Sequence, residues 1–551
     1  MRHWIQTTLT LGAAAAALLL TACGSFSPSR PAAWSAPEVL VAPSSFTGVH
    51  GLAVDKGGRL LAGSVVGNAI WTVDRNSGAA SILIGGPEGQ ADDIAIGPNG
   101  EMAWTNYLQG AIRYRENDQA PMRVLASGLP GLNSLDFDRK NGKLYASQVF
   151  LGDALWEIDV AGTKPPRLIA KDLGGFNGFE VGPDGMLYGP LWFNRSVVKI
   201  DPANGGMTVL NASFETPAAA NLDGKGNLWV VDTATGELAK VALDTGKKTT
   251  VAMLSTALDN LAIAPDGTVY VSNMADNGIQ AIHPDTGAVR SLTRGALAVP
   301  GGIKLSGDTL HVADLFAYRS INTQTGKVTD LRRMHGTDVA LEYPFAIGLS
   351  SKKVALASWF TGTVQVIDRA TQNSEAMLHG FKAPYDALPL EDGSLLVAEI
   401  ATGSIISASG ADYANRRTVA SGLAGPVQMV LGKDGALYVT EAAGTVQRIN
   451  LVDGSKTTVA SGLALPEGLA FTPWGSLIVA EAAAGRLTEL DMDNGRSTSR
   501  RTVADKLPIG LSGGPGMPPP YVATGVAVAA DGTVYFSANR NNAVYRISPS
   551  R

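Results

Sequence analysis

The sequence predicts an all-β protein of twelve four-stranded blades, arranged most simply as two tandem six-bladed β-propellers. Composition is the first support: the 551 residues include 64 glycines and 29 prolines, while charged residues make up 17%, against about 25% in an ordinary globular protein. Many turn-forming residues with few charges favour short strands joined by tight turns over a helix bundle. An internal repeat of about 40 residues is the second support.

Each repeat consists of an apolar run, a turn such as Pro-Asp-Gly and a second apolar run. Residues 178–189, 260–273 and 468–481 show the pattern. Glycine supplies the positive φ that hairpin turns of this kind need. A third strand and often a fourth follow each pair, and four strands in about 40–50 residues are the period of a propeller blade.

Twelve repeats can be aligned on the position just before their first strand. Successive repeats are 40–44 residues apart, except for the last interval of 57 residues. An insertion rich in glycine and proline, residues 507–520, lengthens that last interval. The residues at this leading position are His50, Asp92, Asn133, Asn177, Ala218, Asp259, Gly301, Phe345, Tyr385, Val427, Glu467 and Thr524.

The number of blades and the chain ends predict two rings. A single ring of twelve would leave a wide axial hole, because propellers ordinarily have about four to eight blades. A lone strand is expected at residues 38–42, and the last repeat stops after its third strand at Ile547. We therefore expect propellers over residues 37–286 and 287–551, each closed by pairing its first strand with its last blade. A division into seven plus five blades fits the ends equally well.

The N-terminus predicts a lipoprotein signal peptide over residues 1–22. Arg2 precedes an apolar run at residues 9–22, which is short for a membrane span and typical of a secretory signal. The run ends in Leu-Thr-Ala-Cys, which resembles the lipobox of bacterial lipoproteins. The resemblance implies cleavage after residue 22 and lipidation of Cys23, and hence a membrane anchor in the cell envelope. The alternative is a plain cleaved signal with an incidental cysteine.

The residues after Cys23 add two expectations. Residues 23–36 are rich in Ser, Pro and Ala and are typical of a flexible tether. Gly24, in place of Asp, indicates the outer membrane where the envelope has two membranes. Because Cys23 is the single cysteine, an internal disulfide and a cysteine-based zinc site are excluded.

Charge and short motifs exclude several other functions. The net charge is −5 and no basic cluster stands out, so nucleic-acid binding has little support. The Gly-x-Ser-x-Gly pattern at residues 510–514 lies in the insertion and not in a strand-turn-helix, so no nucleophile elbow is expected. Acidic residues that end second strands in both halves are expected to brace turns; they are Asp232, Asp314, Glu399, Glu441 and Glu481.

The leading residues of the first ring predict a metal site. In a propeller the first strand of each blade lines the central channel, so Asp92, Asn133, Asn177 and Asp259 point toward one axis. Carboxylate and amide oxygens are the ligands that a hard cation such as Ca²⁺ takes. The alternative is a polar channel mouth satisfied by water. The second ring presents mostly apolar or small residues at the same positions.

The loops between second and third strands open on the same face as the leading residues. In the first ring these loops carry Tyr107, Trp192, Phe193 and Arg195. An aromatic wall with one cation suits a ring-containing or acyl substrate. Packing at the blade edges is the alternative.

The repeat resembles the gluconolactonase/regucalcin, paraoxonase, streptogramin-lyase and NHL-repeat group of propellers over nearly the whole mature chain. Residues 176–179, Phe-Asn-Gly-Phe, are similar to the Asn-Gly-Leu motif of the lactonases, and Asp259-Asn260 is similar to the paired Asp-Asn of paraoxonase-like enzymes. The resemblance implies a catalytic Ca²⁺ with Asn133, Asn177, Asp259 and Asn260 among its ligands.

The chain also departs from that group. His50 stands where the first blade of the group has Glu, Ala218 stands where it has its acid, and Asp92 adds a carboxylate that the group lacks. A neutral His50 could act as the general base toward a Ca²⁺-polarised water; a hydrogen-bonded histidine without a catalytic role is the alternative.

Two functions are consistent with these features. The first is a non-catalytic envelope lipoprotein whose propellers bind a small ligand, a glycan or a protein. The second is a Ca²⁺-dependent hydrolase of a lactone or ester, with its site on the axis of the first propeller. A streptogramin-type eliminase is a third hypothesis, for which the sequence offers no matching His/Glu set.

Overall fold

A computed structural model describes residues 29–336 and 340–550; the predicted signal peptide and Cys23 lie outside the described residues. Twelve antiparallel four-stranded sheets account for nearly all of its regular structure. This confirms the predicted all-β fold of twelve blades. Two short 3-10 helices, Ala411–Tyr413 and Ala482–Ala484, interrupt the strands.

The first six blades are numbered in chain order, and their strands run from the axis outward. The strands are Leu52–Val54, Leu60–Ser64, Ala69–Val73 and Ala80–Ile84 in blade 1; Ile94–Ile96, Met102–Asn106, Ala111–Arg115 and Arg123–Ala126 in blade 2; Leu132–Phe137, Leu144–Gln148, Ala154–Ile158 and Arg167–Lys171 in blade 3; Glu180–Val181, Leu187–Leu191, Ser196–Ile200 and Met207–Asn211 in blade 4; Pro217–Leu222, Asn227–Asp232, Glu237–Ala242 and Lys248–Met253 in blade 5; and Leu258–Ile263, Val269–Asn273, Gly278–Ile282 and Val289–Thr293 in blade 6.

The second six blades follow the same order. The strands are Ile303–Ser306, Thr309–Asp314, Ala317–Asn322 and Val328–Arg333 in blade 7; Ala346–Leu349, Lys353–Ser358, Thr363–Asp368 and Ser374–Leu378 in blade 8; Pro384–Pro389, Leu395–Glu399, Ser404–Ser409 and Asn415–Ala420 in blade 9; Pro426–Leu431, Leu437–Glu441, Thr445–Ile449 and Lys456–Ala460 in blade 10; Pro466–Phe471, Leu477–Glu481, Arg486–Asp493 and Arg496–Ala504 in blade 11; and Val526–Val528, Val534–Ala538, Ala543–Ile547 and the N-terminal Glu38–Val41 in blade 12.

Contacts between inner strands close two separate rings of six blades. The inner strand of blade 6, Leu258–Ile263, packs against Leu52–Val54 of blade 1. The inner strand of blade 12, Val526–Val528, packs against Ile303–Ser306 of blade 7. The two rings are called the first and second propeller below.

The way the rings close differs from the prediction. The N-terminal strand Glu38–Val41 pairs with Ala543–Ile547 of blade 12, and not with the sixth blade. Blade 6 keeps its own fourth strand, Val289–Thr293, because a tight turn with the His283 carbonyl accepting from the Gly287 N–H joins it to the third strand. A short hairpin closes at a low entropic cost, which favours the local pairing.

This correction moves the predicted boundary between the propellers. The first propeller's sheets begin at Leu52 and end at Thr293, whereas residues 38–41 of the predicted first unit belong to the second propeller. The chain therefore passes from one propeller to the other twice, over residues 42–51 and 294–302. The two passages touch, since the Ser44 hydroxyl donates to the Leu297 carbonyl at 2.6 Å.

The described part of the predicted tether, residues 29–36, lies against the second propeller. Arg30 forms an ion pair with Asp491 at 2.5 Å, and the Trp34 ring lies 5.8 Å from that of Trp474. Strand Ala33–Trp34 pairs with Pro549–Ser550. The ion pair and the ring contact bind this segment to the second propeller, although its composition is typical of a linker.

The two propellers pack face to face. Val66 and Met274 from loops of the first propeller share one buried apolar cluster with Phe316, Tyr318 and Met334 of the second. The face of the first propeller that carries the leading residues is thus covered by the second. Within residues 29–336 and 340–550, no helix is long and apolar enough to cross a membrane.

Candidate functional site

Three leading residues of the first propeller converge on its axis. One side-chain ligand atom from each of His50, Asp92 and Asp259 lies within 4.8 Å of the corresponding atoms of the other two. They come from blades 1, 2 and 6, which are adjacent around the closed ring. Two carboxylates and an imidazole at this separation match the donor groups of a divalent cation site.

The imidazole of His50 is oriented by a backbone contact. Its Nδ1 lies 2.8 Å from the Gly48 carbonyl oxygen, which can only accept, so Nδ1 carries the proton and Nε2 keeps a free lone pair. Burial lowers the pKa of His50 to about 4, so the ring is neutral at neutral pH. A histidine that donates one ring N–H to a carbonyl is held in the tautomer that metal ligation requires.

The two carboxylates of this group are electrostatically strained. Burial, and then the nearby Asp93 carboxylate, raise the pKa of Asp259 to about 7. Burial and the neighbouring Asp259 and Asp93 also raise the pKa of Asp92 well above its usual range. Like charges held together away from water favour either a bound proton or a bound cation.

Asn133 and Asn177 line the same cavity. The Ser134 hydroxyl lies 2.9 Å from the amide oxygen of Asn133 and 3.1 Å from that of Asn177, and donates toward both. The Asn177 oxygen also accepts from the Gly178 N–H at 3.0 Å, so both of its lone pairs are used, whereas the Asn133 oxygen keeps one. The structure therefore brings four of the five predicted metal ligands, Asp92, Asn133, Asn177 and Asp259, around one space.

Asn260, the fifth predicted ligand, does not line the cavity. Its amide nitrogen donates to Asp93 Oδ1 at 3.0 Å, and its oxygen accepts from the Leu261 N–H at 2.7 Å. Asp93 also accepts the N–H groups of Ile94 and Leu135. Because side chains alternate along a strand, the residue after each leading residue supports the ring and does not face the cavity.

The second propeller contributes residues that sequence reasoning missed. Tyr343 and His335 lie in the connection from Val328–Arg333 to Ala346–Leu349, and both line the cavity. Burial and the carboxylates of Asp92 and Asp259 raise the pKa of Tyr343. Burial, and then proximity to His50, lower the pKa of His335 to about 4. Nothing in the repeat pattern indicates that this connection meets the first propeller.

The four predicted substrate-binding residues divide into two pairs. Tyr107 and Trp192 line the cavity. Phe193 is 55% exposed outside it, and Arg195 forms an ion pair with Glu215 and donates from Nε to the Phe214 carbonyl at 3.3 Å. Both lie on the outer side of the loop because only its first residue, Trp192, turns toward the axis.

Aromatic side chains form most of the cavity wall. The cavity and its opening together hold about 730 Å³ of space outside protein atoms. Trp192 and Phe150 contribute from the first propeller; Phe316, Phe345, Trp359, Phe360 and Tyr521 contribute from the second. Tyr521 follows the insertion of residues 507–520, which reaches the first propeller through the Ser512 carbonyl and the Asn68 amide at 3.4 Å.

Among the described residues that line the cavity there is no lysine or arginine. Asp92 and Asp259 are the acidic groups that line the cavity, and His50 and His335 are neutral. A cation of charge +2 would balance Asp92 and Asp259. The arrangement can bind such a cation at its polar end and an apolar molecule between the propellers.

Comparison with solved structures found neighbours at low similarity. The extracellular domain of the one-component system BT4673 of B. thetaiotaomicron is 12% identical, with 91% of this chain and 76% of that chain covered and a TM-score of 0.33. A second structure, described as the extracellular domain of the hybrid two-component system BT4673, is 12% identical, with 95% and 83% covered and a TM-score of 0.34.

A nidogen/laminin complex is 16% identical, with 42% of this chain and 91% of that chain covered and a TM-score of 0.25. No protein-family model matches the chain, and no curated protein matches it. The assignment of the fold therefore rests on the twelve sheets of this chain.

Proposed function

We propose that this chain is a binding protein for a small ligand, with its site in the cavity between the two facing propellers and a divalent cation at the polar end. The convergence of His50, Asp92 and Asp259 within 4.8 Å at the base of an aromatic cavity is the observation that supports this function most directly. A site covered by a second propeller suits a small molecule better than a glycan chain or a protein surface.

The donor set guides the choice of cation. Ca²⁺, the cation expected from the sequence, takes about six to eight oxygen ligands. An imidazole nitrogen beside two carboxylates is better matched by Mn²⁺ or Zn²⁺, which accept nitrogen and oxygen together. Asn133 lines the same space, and its amide oxygen, which accepts one hydrogen bond, would add to the oxygen side of the set.

Calorimetric titration of the chain from residue 24 with Mn²⁺, Zn²⁺ and Ca²⁺ tests the proposal. We expect one cation per chain, and a loss of at least about tenfold in affinity for Asp259→Asn. Asp266→Asn is the matched control, since Asp266 lies in the same blade but is exposed and pairs with Arg75. Absence of saturable binding by all three cations, or equal weakening by both substitutions, would contradict the proposal.

A hydrolase is the second candidate, supported by the neutral imidazole of His50 and its free Nε2. In this function Asp92 and Asp259 would hold the cation, which would supply Lewis acidity, and Nε2 of His50 would be left unligated to accept a proton from the attacking water. This is the activity that the resemblance to gluconolactonases and paraoxonases implies. We expect chelator-sensitive cleavage of lactones or aryl esters that His50→Gln abolishes; an inactive protein under saturating Mn²⁺ and Ca²⁺ would leave binding as the function.

The envelope location is proposed from the sequence. Cys23 in its lipobox-like context supports a lipid anchor that would hold both propellers at a membrane surface. We expect Cys23→Ser to shift the protein from the membrane fraction to the soluble fraction, and the mature N-terminus to carry acyl chains by mass spectrometry. A protein that stays in the membrane fraction after this substitution would contradict the anchor.

A further inference from the structure

The far wall of the cavity is a cluster of aromatic rings centred on Trp359. Its ring lies 4.9 Å from Phe345, 5.9 Å from Phe360 and 5.9 Å from Tyr521, and stacks on Tyr385 at 6.1 Å with planes 18° apart. On the first propeller, Phe150 meets Trp192 edge to face at 5.2 Å. Rings on both propellers therefore border one space.

The polar atoms of Trp359 and Tyr385 already have hydrogen-bond partners. Trp359 Nε1 donates to the Tyr521 carbonyl at 3.1 Å, and the Tyr385 hydroxyl donates to the Pro520 carbonyl at 2.5 Å. Trp359 can thus offer an occupant only its ring surface, and Tyr385 supports that ring from outside the cavity lining. Ring surfaces prefer an aromatic partner to an aliphatic one of the same size.

Another part of the cavity lining is polar. His50, Asp92 and Asp259 form the proposed cation site, and the phenol groups of Tyr107 and Tyr343 lie beside it. A tyrosine hydroxyl is protonated at neutral pH and can donate a hydrogen bond. An anionic oxygen in this part would meet a cation and two hydroxyl donors.

We propose that the natural occupant is a flat aromatic molecule with a carboxylate or phenolate oxygen, which reaches the cation through that oxygen and lays its ring against Trp359. This inference rests on the proposed function, because it requires the cation. It also gives the second propeller a role: its aromatic cluster, not a second metal site, selects the ligand.

Titration of the Mn²⁺-saturated chain from residue 24 with benzoate and cyclohexanecarboxylate tests the inference. The two probes share charge and approximate size and differ in the ring. We expect benzoate to bind more tightly by about three- to tenfold, and to bind weakly when Mn²⁺ is removed by a chelator. Tryptophan fluorescence gives an independent readout, because Trp192 and Trp359 both border the cavity.

Variants separate the ring wall from the cation site. We expect Trp359→Leu to abolish the preference for benzoate while Mn²⁺ affinity stays unchanged, which also shows that the variant is folded. Phe360→Leu serves the same purpose if Trp359→Leu fails to fold. Trp474→Leu is the control, since Trp474 packs on Trp34 away from the cavity and should leave the preference intact.

The outcomes distinguish the two proposals. Equal binding of both probes, no binding of either, or benzoate binding that is independent of Mn²⁺ would overturn the aromatic ligand and leave the cation site standing. Failure of Mn²⁺, Zn²⁺ and Ca²⁺ to bind at all would overturn the proposed function, and this inference with it.

Discussion

Buried carboxylates in this protein occupy two kinds of environment. Some accept N–H groups: Asp93 accepts from two backbone N–H groups and the Asn260 amide, and Asp386 from two backbone N–H groups. Asp232, which ends a second strand, accepts four backbone N–H groups. This confirms the predicted turn-bracing role of Asp232. Asp92 and Asp259 differ, because burial and neighbouring charge act on their pKa without a hydrogen bond from any described residue. They are the carboxylates available to a ligand.

The raised pKa of Asp259, about 7, predicts how stability depends on pH. An unfolded aspartate titrates near pH 4, so between about pH 4 and 7 the folded state holds a proton that the unfolded state has lost. The cation-free protein should therefore lose stability as pH rises through this window. Saturating Mn²⁺ should remove that loss and raise the urea midpoint most at pH 7.

The substitution Asp259→Asn separates the contribution of Asp259 to the pH dependence of stability from that of His50. The lowered pKa of His50 makes stability rise with pH between about pH 4 and 6.5. The substitution should flatten the fall in stability between pH 4 and 7 and reduce the gain from Mn²⁺. An unchanged pH profile of the urea midpoint in this variant would show that Asp259 titrates normally.

At the scale of elements, acidic side chains join neighbouring blades that lack a backbone ladder between them. Asp136 accepts from the Val181 N–H at 2.8 Å, Glu180 from Leu222 at 2.6 Å, Asp386 from Met429 at 2.8 Å and Glu467 from Thr524 at 2.6 Å. Each contact runs from the inner strand of one blade to the next. Glu467, the acidic leading residue of the second ring, takes this role through Oε2.

Removing one of these contacts should destabilise the propeller. Asp386→Ala leaves the buried Met429 N–H without its acceptor, at an expected cost of about 1–3 kcal/mol. Asp392→Ala, in an exposed turn of the same blade where Asp392 accepts from Ser394, should cost less than about 1 kcal/mol. Chemical denaturation of the two variants compares them, and equal costs would contradict the bridging role.

At the scale of the whole molecule, the chain builds one site from two propellers. Along the chain, the N-terminal strand belongs to the second propeller, the next six blades form the first propeller, and residues 294–302 lead back to the second. Both passages join the facing sides that enclose the cavity. The second propeller thus covers the axial residues of the first, as its aromatic cluster and Tyr343 show.

The strand exchange can be tested by hydrogen exchange. Val41 is buried in blade 12 whereas Val39, on the same strand, is 47% exposed. We expect Val41→Asp to speed amide exchange in Ala543–Ile547 and to leave Gly278–Ile282 of blade 6 protected, while Val39→Asp changes neither. Faster exchange in Gly278–Ile282 would contradict the observed closure.

Local patterns predicted the blades and the polar axis well. The Pro-Asp-Gly-like turns and the 40–44 residue spacing located the inner strands of blades 1–11, and the insertion accounted for the longer interval to blade 12. The leading position identified His50, Asp92 and Asp259. The predicted ring closure was wrong because strands 38–41 and 289–293 have the same fourth-strand pattern, so only loop length decides which of them pairs with blade 6. Tyr343, His335 and the aromatic cover were missed because contacts between two rings leave no periodic trace in sequence.

The cation site between the propellers is the central claim, and anomalous diffraction tests it most directly. Crystals grown with Mn²⁺ and measured near the manganese absorption edge should show one strong anomalous peak between His50, Asp92 and Asp259, with Tyr343 beside it. A map without a peak at this position, from protein that calorimetry shows to be saturated with Mn²⁺, would contradict the account.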